Sequence, residues 1–121
     1  MTDDELLARA DEAAARAYAP YSGFRVGAAL LARDGRVVGG VNVENAAYPL
    51  GTCAESGALA AAVTAGYRPG DLQAVAITAS PCGGCRQRLH EFRVERVVYR
   101  RGDGSVVTLT PAELLPDTFA L

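Results

Sequence analysis

The chain has 121 residues, with 12 basic and 14 acidic side chains, and half of its residues are hydrophobic. This length predicts one domain, residues 1–121, and the net charge of −2 argues against a dedicated nucleic-acid surface. No apolar run reaches the roughly 18 residues of a membrane span, and the acidic start, 1–5, lacks the basic residues of a signal peptide, so we expect a cytoplasmic protein without a membrane partner.

Residue patterns predict three main helices and five strands. Helical spacing indicates a first helix over 3–18, with Thr2 as its N-cap and Glu5 completing a capping box. Two strands are expected within 26–38, joined by a turn at 33–35. The later predicted elements are a polar loop over 42–52, a helix over 53–65, a strand over 72–79, a helix over 81–92, strands over 96–100 and 105–109, and a short helix beginning at Pro111 after the cap Thr110. Helices between strands predict a three-layer α/β/α sandwich with a mixed five-stranded sheet.

The three cysteines form the most informative pattern in the chain. Cys53 falls at the start of the second predicted helix, and Cys82 and Cys85 open the third as a C-x-x-C pair. Helix N-termini favour thiolate over thiol. Three thiolates suit Zn²⁺, which prefers four ligands, and the fourth position left for water is typical of a catalytic site.

An acidic residue accompanies the first cysteine. Glu55 lies two residues after Cys53, close enough to reach the metal region without being a ligand itself. A carboxylate at that place can accept a proton from a metal-activated water and return it elsewhere. Together with Cys82 and Cys85, these residues match the three-cysteine form of the zinc-deaminase signature.

Other interpretations of these residues remain open at this point. A C-x-x-C pair alone is also typical of thioredoxin-like redox sites, so a non-enzymatic zinc or redox module is an alternative. A structural zinc site usually needs four protein ligands. The only histidine, His90, lies five residues beyond Cys85 on a different helix face, and we expect it to be a surface or interface residue.

Four segments of the chain resemble cytidine deaminases of the small, homotetrameric class. They are Tyr18–Ala29, Asn42–Glu55, Ser80–Gln87 and Leu114–Phe119, in the family's order and across nearly the whole chain. The resemblance implies a zinc-dependent hydrolase that converts cytidine and deoxycytidine to uridine and deoxyuridine with release of ammonia, in pyrimidine salvage and without an organic cofactor. The alternative within this chemistry is a modified or antibiotic cytosine nucleoside as substrate.

The resemblance also implies how the substrate is held. Asn42 and Glu44 would bind the ribose hydroxyls, and Phe24 would pack on the face of the pyrimidine ring. Backbone groups around Ala54 and Ser80 would meet the exocyclic amine and the carbonyl edge of the base. These roles describe a small-molecule site for a free nucleoside.

Two further aromatic residues correspond to the family's subunit boundaries. The resemblance implies that Tyr48 and Phe119 lie between chains of a homotetramer, with Phe119 closing the site of a neighbouring chain. The alternative for Phe24, Tyr48 and Phe119 is simple packing in the core.

The chain departs from the family pattern next to the predicted catalytic residue. Where the family commonly has Arg after the catalytic Glu, this chain has Ser56, and Arg86 is the nearest alternative cation in sequence. We expect the loss of this charge to leave the site competent but to raise the pKa of the metal-activated water. The short connection before Pro81 and the end at Leu121 also differ from the family pattern, which bears on the tetramer and on the range of substrates.

Overall fold

The computed structural model describes residues 1–121 and contains one mixed five-stranded sheet with helices on both faces. The helices are α1 (Asp3–Ala14), α2 (Ala54–Thr64), α3 (Gly83–Glu91) and α4 (Pro111–Leu114), and a 3₁₀ turn spans Tyr48–Leu50. The strands are β1 (Gly27–Ala32), β2 (Val37–Val41), β3 (Leu72–Ile77), β4 (Arg96–Arg100) and β5 (Val106–Leu109). The sheet order is β2-β1-β3-β4-β5, and only β3 and β4 pair in parallel.

Two hydrophobic clusters, one on each face of the sheet, confirm the predicted three layers. The α1 face contains Leu6, Leu7, Ala10, Ala29, Leu31, Ala74, Ala76 and Val98. The opposite face packs against α2, α3 and α4 through Ala28, Leu30, Ala32, Ala54, Ala58, Leu59, Ala62, Leu72, Val75, Ile77, Leu89, Val94, Val97, Tyr99 and Leu114. Successive residues of β1 alternate between the two clusters because side chains of a strand point to opposite faces.

Several predicted boundaries need correction. The first helix ends at Ala14 and not at residue 18, because the Tyr18 N–H leaves the helix to donate to the Asn42 carbonyl over 3.1 Å. The second strand extends to Val41, beyond the predicted end at 38. The third main helix begins at Gly83 because Cys82, predicted to be helical, has the extended backbone of an N-cap.

Glycine lets helix α2 approach the sheet closely. A Cβ atom added at Gly40 of β2 would overlap backbone atoms of Ala54 and Ala58 in α2. The helix therefore rests directly on the strand backbone, an approach that only glycine permits. This contact fixes the height of the first turn of α2, which carries Glu55, above the sheet.

The strand directions bring two helix N-termini to one edge of the sheet. Strands β2 and β3 are both antiparallel to β1, so they run in the same direction. Helix α2 follows β2 and helix α3 follows β3, and the crevice outside the carboxyl ends of such strands is the usual place for a ligand in α/β folds. None of the helices has the length and apolar character needed to cross a membrane.

Candidate metal centre and active site

The three predicted cysteines meet in the crevice between α2 and α3. Cys53 and Cys82 are the N-cap residues of these helices, and Cys85 lies in the first turn of α3. Their sulfur atoms all lie within 4.8 Å of one another, and the Cys53 and Cys82 sulfurs are 3.8 Å apart. All three cysteines are free.

This donor set fits zinc. Two sulfurs bound tetrahedrally at about 2.3 Å from one ion lie roughly 3.8 Å apart, which agrees with the separation of Cys53 and Cys82. A disulfide would instead require sulfurs at about 2.05 Å. Three sulfur ligands would leave one of zinc's four coordination positions open, as in catalytic zinc sites.

Three thiols this close together are difficult to ionise at the same time without a cation. Burial raises the pKa of the Cys85 thiol, and negative charge on Glu55 and on the other two cysteines raises it further. Burial and the neighbouring Cys82 raise the pKa of Cys53 as well. For Cys82, burial is outweighed by the backbone N–H groups of Cys85 and Gly84 and by the Cys53 thiol, so its pKa is lowered. A divalent ion would offset the repulsion among three thiolates.

Glu55 is the only charged side chain in the buried interior, with 3% of its surface exposed. It lies in the first turn of α2, two residues after Cys53, and lines the same cavity. Burial raises the pKa of its carboxyl, although its own backbone N–H, the Cys85 thiol and the charge of Arg88 act to lower it. A carboxyl with a raised pKa beside the three thiols is suited to accepting a proton and returning it.

A cavity of about 460 Å³ opens above the thiol cluster, within the size range of small-molecule sites. The predicted site residues that line it are Phe24, Asn42, Glu44, Tyr48, Cys53, Ala54, Glu55, Ser80 and Cys82. Other lining residues, which sequence reasoning did not single out, are Tyr21, Ser22, Val26, Val43, Asn45, Gly51, Thr52 and Ala79. Cys85 and Phe119 do not line it.

Asn42 holds the segment that carries Phe24. Its side-chain oxygen accepts from the Val26 N–H over 2.8 Å, and its amide nitrogen donates to the Phe24 carbonyl over 2.8 Å. The side-chain oxygen can accept one further hydrogen bond and the amide nitrogen can donate one more, and Asn42 lines the cavity. Asn42 thus fixes the wall of the cavity and presents polar atoms to it.

Glu44 holds the neighbouring part of the same wall. Its carboxylate accepts from the backbone N–H groups of Tyr21 and Ser22, over 2.9 and 3.1 Å, and from the Ser22 hydroxyl. These hydrogen bonds hold the pKa of the Glu44 carboxyl below its ordinary value, so this carboxylate stays ionised at neutral pH. The Ser22 hydroxyl has the largest effect, and the N–H groups of Ser22 and Tyr21 add to it. Ser22 was missed because its partner is 22 residues away, and only the fold shows the pair.

The three predicted aromatic residues lie outside the core of the chain. The exposed fractions of Phe24, Tyr48 and Phe119 are 62%, 79% and 71%. Simple core packing within this chain is therefore wrong for all three. Phe119 lies on the chain's C-terminal segment, where its carbonyl accepts from the Gln87 side chain over 3.1 Å.

The two arginines of helix α3 have different partners. The Arg86 guanidinium donates to the backbone carbonyls of Pro81 and Leu114, over 2.9 and 3.0 Å. Arg88, which sequence reasoning missed, places Nη1 3.7 Å from the sulfur of Cys85. Residues three apart on a helix share a face and adjacent ones do not, so the spacing from Cys85 could have indicated Arg88.

The remaining predicted residues lie beside the cluster or away from it. Ser56 is half-buried in the first turn of α2, and its hydroxyl forms no hydrogen bond in the structure. His90 is half-buried in the last turn of α3 and is not part of the thiol cluster.

Comparisons with known proteins agree with the geometry. Residues 1–101 match the family model described as the cytidine and deoxycytidylate deaminase zinc-binding region. A cytidine deaminase from Sporosarcina psychrophila is 42% identical, over 99% of this chain and 93% of its own length. A cytidine deaminase from Halalkalibacterium halodurans is 43% identical, over 98% of this chain and 95% of its own. The crystal structure of a cytidine deaminase from Burkholderia pseudomallei has a TM-score of 0.92 and 45% identity, covering 98% of this chain and all of that one.

Proposed function

The chain belongs to the cytidine and deoxycytidylate deaminase family, and from this premise we propose that it hydrolyses cytidine and deoxycytidine to uridine and deoxyuridine with release of ammonia. One observation carries the proposal. A buried carboxylate, Glu55, lies beside three free thiols in the crevice under a cavity of about 460 Å³.

Cys53, Cys82 and Cys85 are the residues that would hold the zinc. When bound, zinc supplies Lewis-acid activation of the attacking water. The chain's own contribution is the fixed separation of the sulfurs on two helix N-termini, whose positive dipole ends stabilise thiolate charge.

Glu55 carries out the proton transfers in the proposed reaction. Its carboxylate accepts a proton from the attacking water and gives it to N3 of the cytosine ring as the oxygen adds to C4. It then takes the proton of the hydroxyl now bound to C4 and passes it to the exocyclic amine, so that the C4–O bond becomes a carbonyl, the C4–N bond breaks and ammonia leaves. Burial raises the pKa of Glu55, which favours the protonated carboxyl that must exist between the step that accepts the proton and the step that returns it.

The cavity wall would hold the nucleoside above Glu55. We assign the pyrimidine face to Phe24, whose exposed ring lines the cavity, and the ribose hydroxyls to Asn42 and Glu44. Backbone groups around Ala54 and Ser80, on the same cavity, would meet the exocyclic amine and the carbonyl edge. The ribose contacts favour a nucleoside over the free base.

We also propose that the active form is a homotetramer whose neighbouring chains complete the site. The exposed rings of Tyr48, which lines the cavity, and of Phe119, on the C-terminal segment, support this assembly, because contact between chains would bury this apolar surface. Sedimentation of the purified chain tests it, and a monomer with full activity would contradict it. Because substrate and product are free nucleosides, the reaction would serve cytoplasmic pyrimidine salvage.

The test of the proposed reaction is an ultraviolet assay with cytidine, deoxycytidine and free cytosine, with ammonia and zinc quantified. We expect one ammonia for each nucleoside converted, one zinc for each chain, and much slower reaction of free cytosine. We expect removal of zinc with a chelator to abolish activity and added zinc to restore it. Conversion of neither nucleoside by the zinc-loaded protein would overturn the proposal.

A further inference from the structure

Arg88 is a charged residue of the metal region to which the proposed reaction assigns no part. It lies three residues after Cys85 on helix α3. Long side chains of a helix point back toward its N-terminus, and here this direction brings Nη1 to 3.7 Å from the Cys85 sulfur. Arg88 is exposed as a residue, whereas Cys85 is completely buried.

Gly84 leaves room for the guanidinium at this place. A Cβ added at Gly84 would lie 3.2 Å from Arg88 Nη1 and 4.0 Å from the Cys82 sulfur. The guanidinium therefore lies over bare backbone, on the α3 side of the thiol cluster. A side chain at position 84 would crowd the guanidinium, so a glycine here is compatible with the contact between Arg88 and Cys85.

The contact between Arg88 and Cys85 places a positive charge beside a cluster of groups that become negative when they bind a metal. With a divalent ion bound, three thiolates and an ionised Glu55 would place four negative charges around it. Arg88 pairs with no carboxylate in the structure, unlike Arg9, Arg33, Arg96 and Arg100. Arg86 donates to two backbone carbonyls, and Ser56 adds no charge.

We propose that Arg88 is a positioning residue for the metal: its guanidinium offsets the charge of the Cys85 thiolate and holds that sulfur in place for zinc. The inference rests on the proposed function for the identity of the ion. The guanidinium suits this task because it stays charged and can direct several N–H groups at one acceptor. Partners of metal ligands generally change metal affinity by about 10- to 100-fold, and partial exposure of Arg88 sets our expectation near 10-fold.

The experiment measures the zinc dissociation constant of the full chain by competition with a chromogenic chelator at fixed pH and salt. Arg88→Met keeps the apolar stem and removes the charge, whereas Arg88→Lys keeps the charge. Arg101→Ala, an exposed arginine that forms no side-chain hydrogen bond or ion pair, removes one positive charge elsewhere. Far-UV circular dichroism checks that each variant is folded.

We expect Arg88→Met to weaken zinc binding about 10-fold, Arg88→Lys to recover most of the loss, and Arg101→Ala to match the parent. Cobalt-loaded protein gives a second readout, since loss of the guanidinium should shift its thiolate-to-metal absorption band. Equal zinc affinity in Arg88→Met and the parent would overturn the inference, as would a lysine variant as weak as the methionine variant. A parent that binds no zinc would instead refute the proposed function itself.

Discussion

The floor and the mouth of the cavity are built in different ways. We use floor for Cys53, Cys82 and Glu55, which line the cavity, together with Cys85, which does not line it but whose sulfur lies within 4.8 Å of the other two sulfurs. These residues are set by the backbone at two helix N-termini, and Glu55 is only 3% exposed. The mouth consists of loop residues such as Phe24, which is 62% exposed and is held by side-chain hydrogen bonds from another loop. The thiols and Glu55 are thus set by regular helices, whereas the mouth is set by loops and exposed side chains. Changes in the floor should alter zinc content and kcat, and changes in the mouth should alter KM.

The largest expected effect comes from removing a floor ligand. Cys85→Ala leaves two thiols, so we expect zinc to be lost on dialysis and kcat/KM to fall by more than about 10³-fold, because activation of the water is lost. Metal analysis and the ultraviolet assay measure both quantities, and circular dichroism shows whether the chain stays folded. A variant that retains a full equivalent of zinc would show that Cys85 is not a ligand.

The second-largest expected effect comes from disturbing the contact that holds helix α2, and with it Glu55, against strand β2. In Gly40→Ala the new methyl group overlaps the backbone of α2, so we expect the free energy of unfolding to fall by about 1–3 kcal/mol. Displacement of Glu55 by a fraction of an ångström to 1 Å should lower kcat by up to about 10²-fold. Chemical denaturation and steady-state kinetics measure these changes. Gly102→Ala is the matched control, because a Cβ there meets nothing within 4 Å, and equal behaviour of the two variants would contradict the close packing of α2.

A change in the mouth should affect binding more than reaction. Phe24→Ala removes the ring that we place on the pyrimidine, and stacking on an aromatic ring is worth about 1–3 kcal/mol for each base. We expect KM for cytidine to rise by roughly 5- to 100-fold with zinc content unchanged. Phe24→Tyr keeps the ring and should remain close to the parent. A fall in kcat alone, with KM unchanged, would move Phe24 out of the binding role.

The smallest effect concerns the hydrogen bonds behind the mouth. Ser22→Ala removes the hydroxyl that donates to Glu44 and accepts from the Phe24 N–H. We expect KM to rise by roughly 2- to 10-fold, because the segment that carries Phe24 loses part of its anchoring. Isothermal titration with a non-hydrolysable nucleoside measures the same change directly. Ser105→Ala, remote from the cavity, serves as the control, and an equal effect of both substitutions would contradict the anchoring.

The sequence predicted the floor better than its surroundings. Cysteine spacing and helix starts are local features, so Cys53, Cys82, Cys85 and Glu55 could be placed together before the fold was known. The end of α1 at Ala14 was not predictable, because it depends on the Tyr18 N–H reaching a loop carbonyl 24 residues later in the chain. Local sequence patterns thus indicated the helix, and a long-range hydrogen bond set the residue at which it ends.

The residues around the thiol cluster show the same difference between what local patterns predict and what only the fold reveals. Sequence proximity favoured Arg86 as the substitute for the charge missing at Ser56, but the guanidinium in contact with Cys85 belongs to Arg88. Helical spacing contains this information, since positions three apart share a face. The pairing of Ser22 with Glu44, in contrast, connects two loops that no local pattern relates.

In the proposed reaction, proton transfer takes place at Glu55 in the floor of the cavity. The most direct test compares the same substitution at Glu55 and at Glu44, a residue of the cavity mouth. Glu55→Gln and Glu44→Gln each replace a carboxylate by an amide of equal size, one in the floor and one in the mouth. The quantities to measure are zinc content and the kcat and KM of ammonia release from cytidine. We predict that Glu55→Gln keeps one zinc and loses about 10²- to 10⁴-fold in kcat, whereas Glu44→Gln acts mainly on KM. A zinc-loaded Glu55→Gln variant that releases ammonia at the parent rate would contradict the role of Glu55.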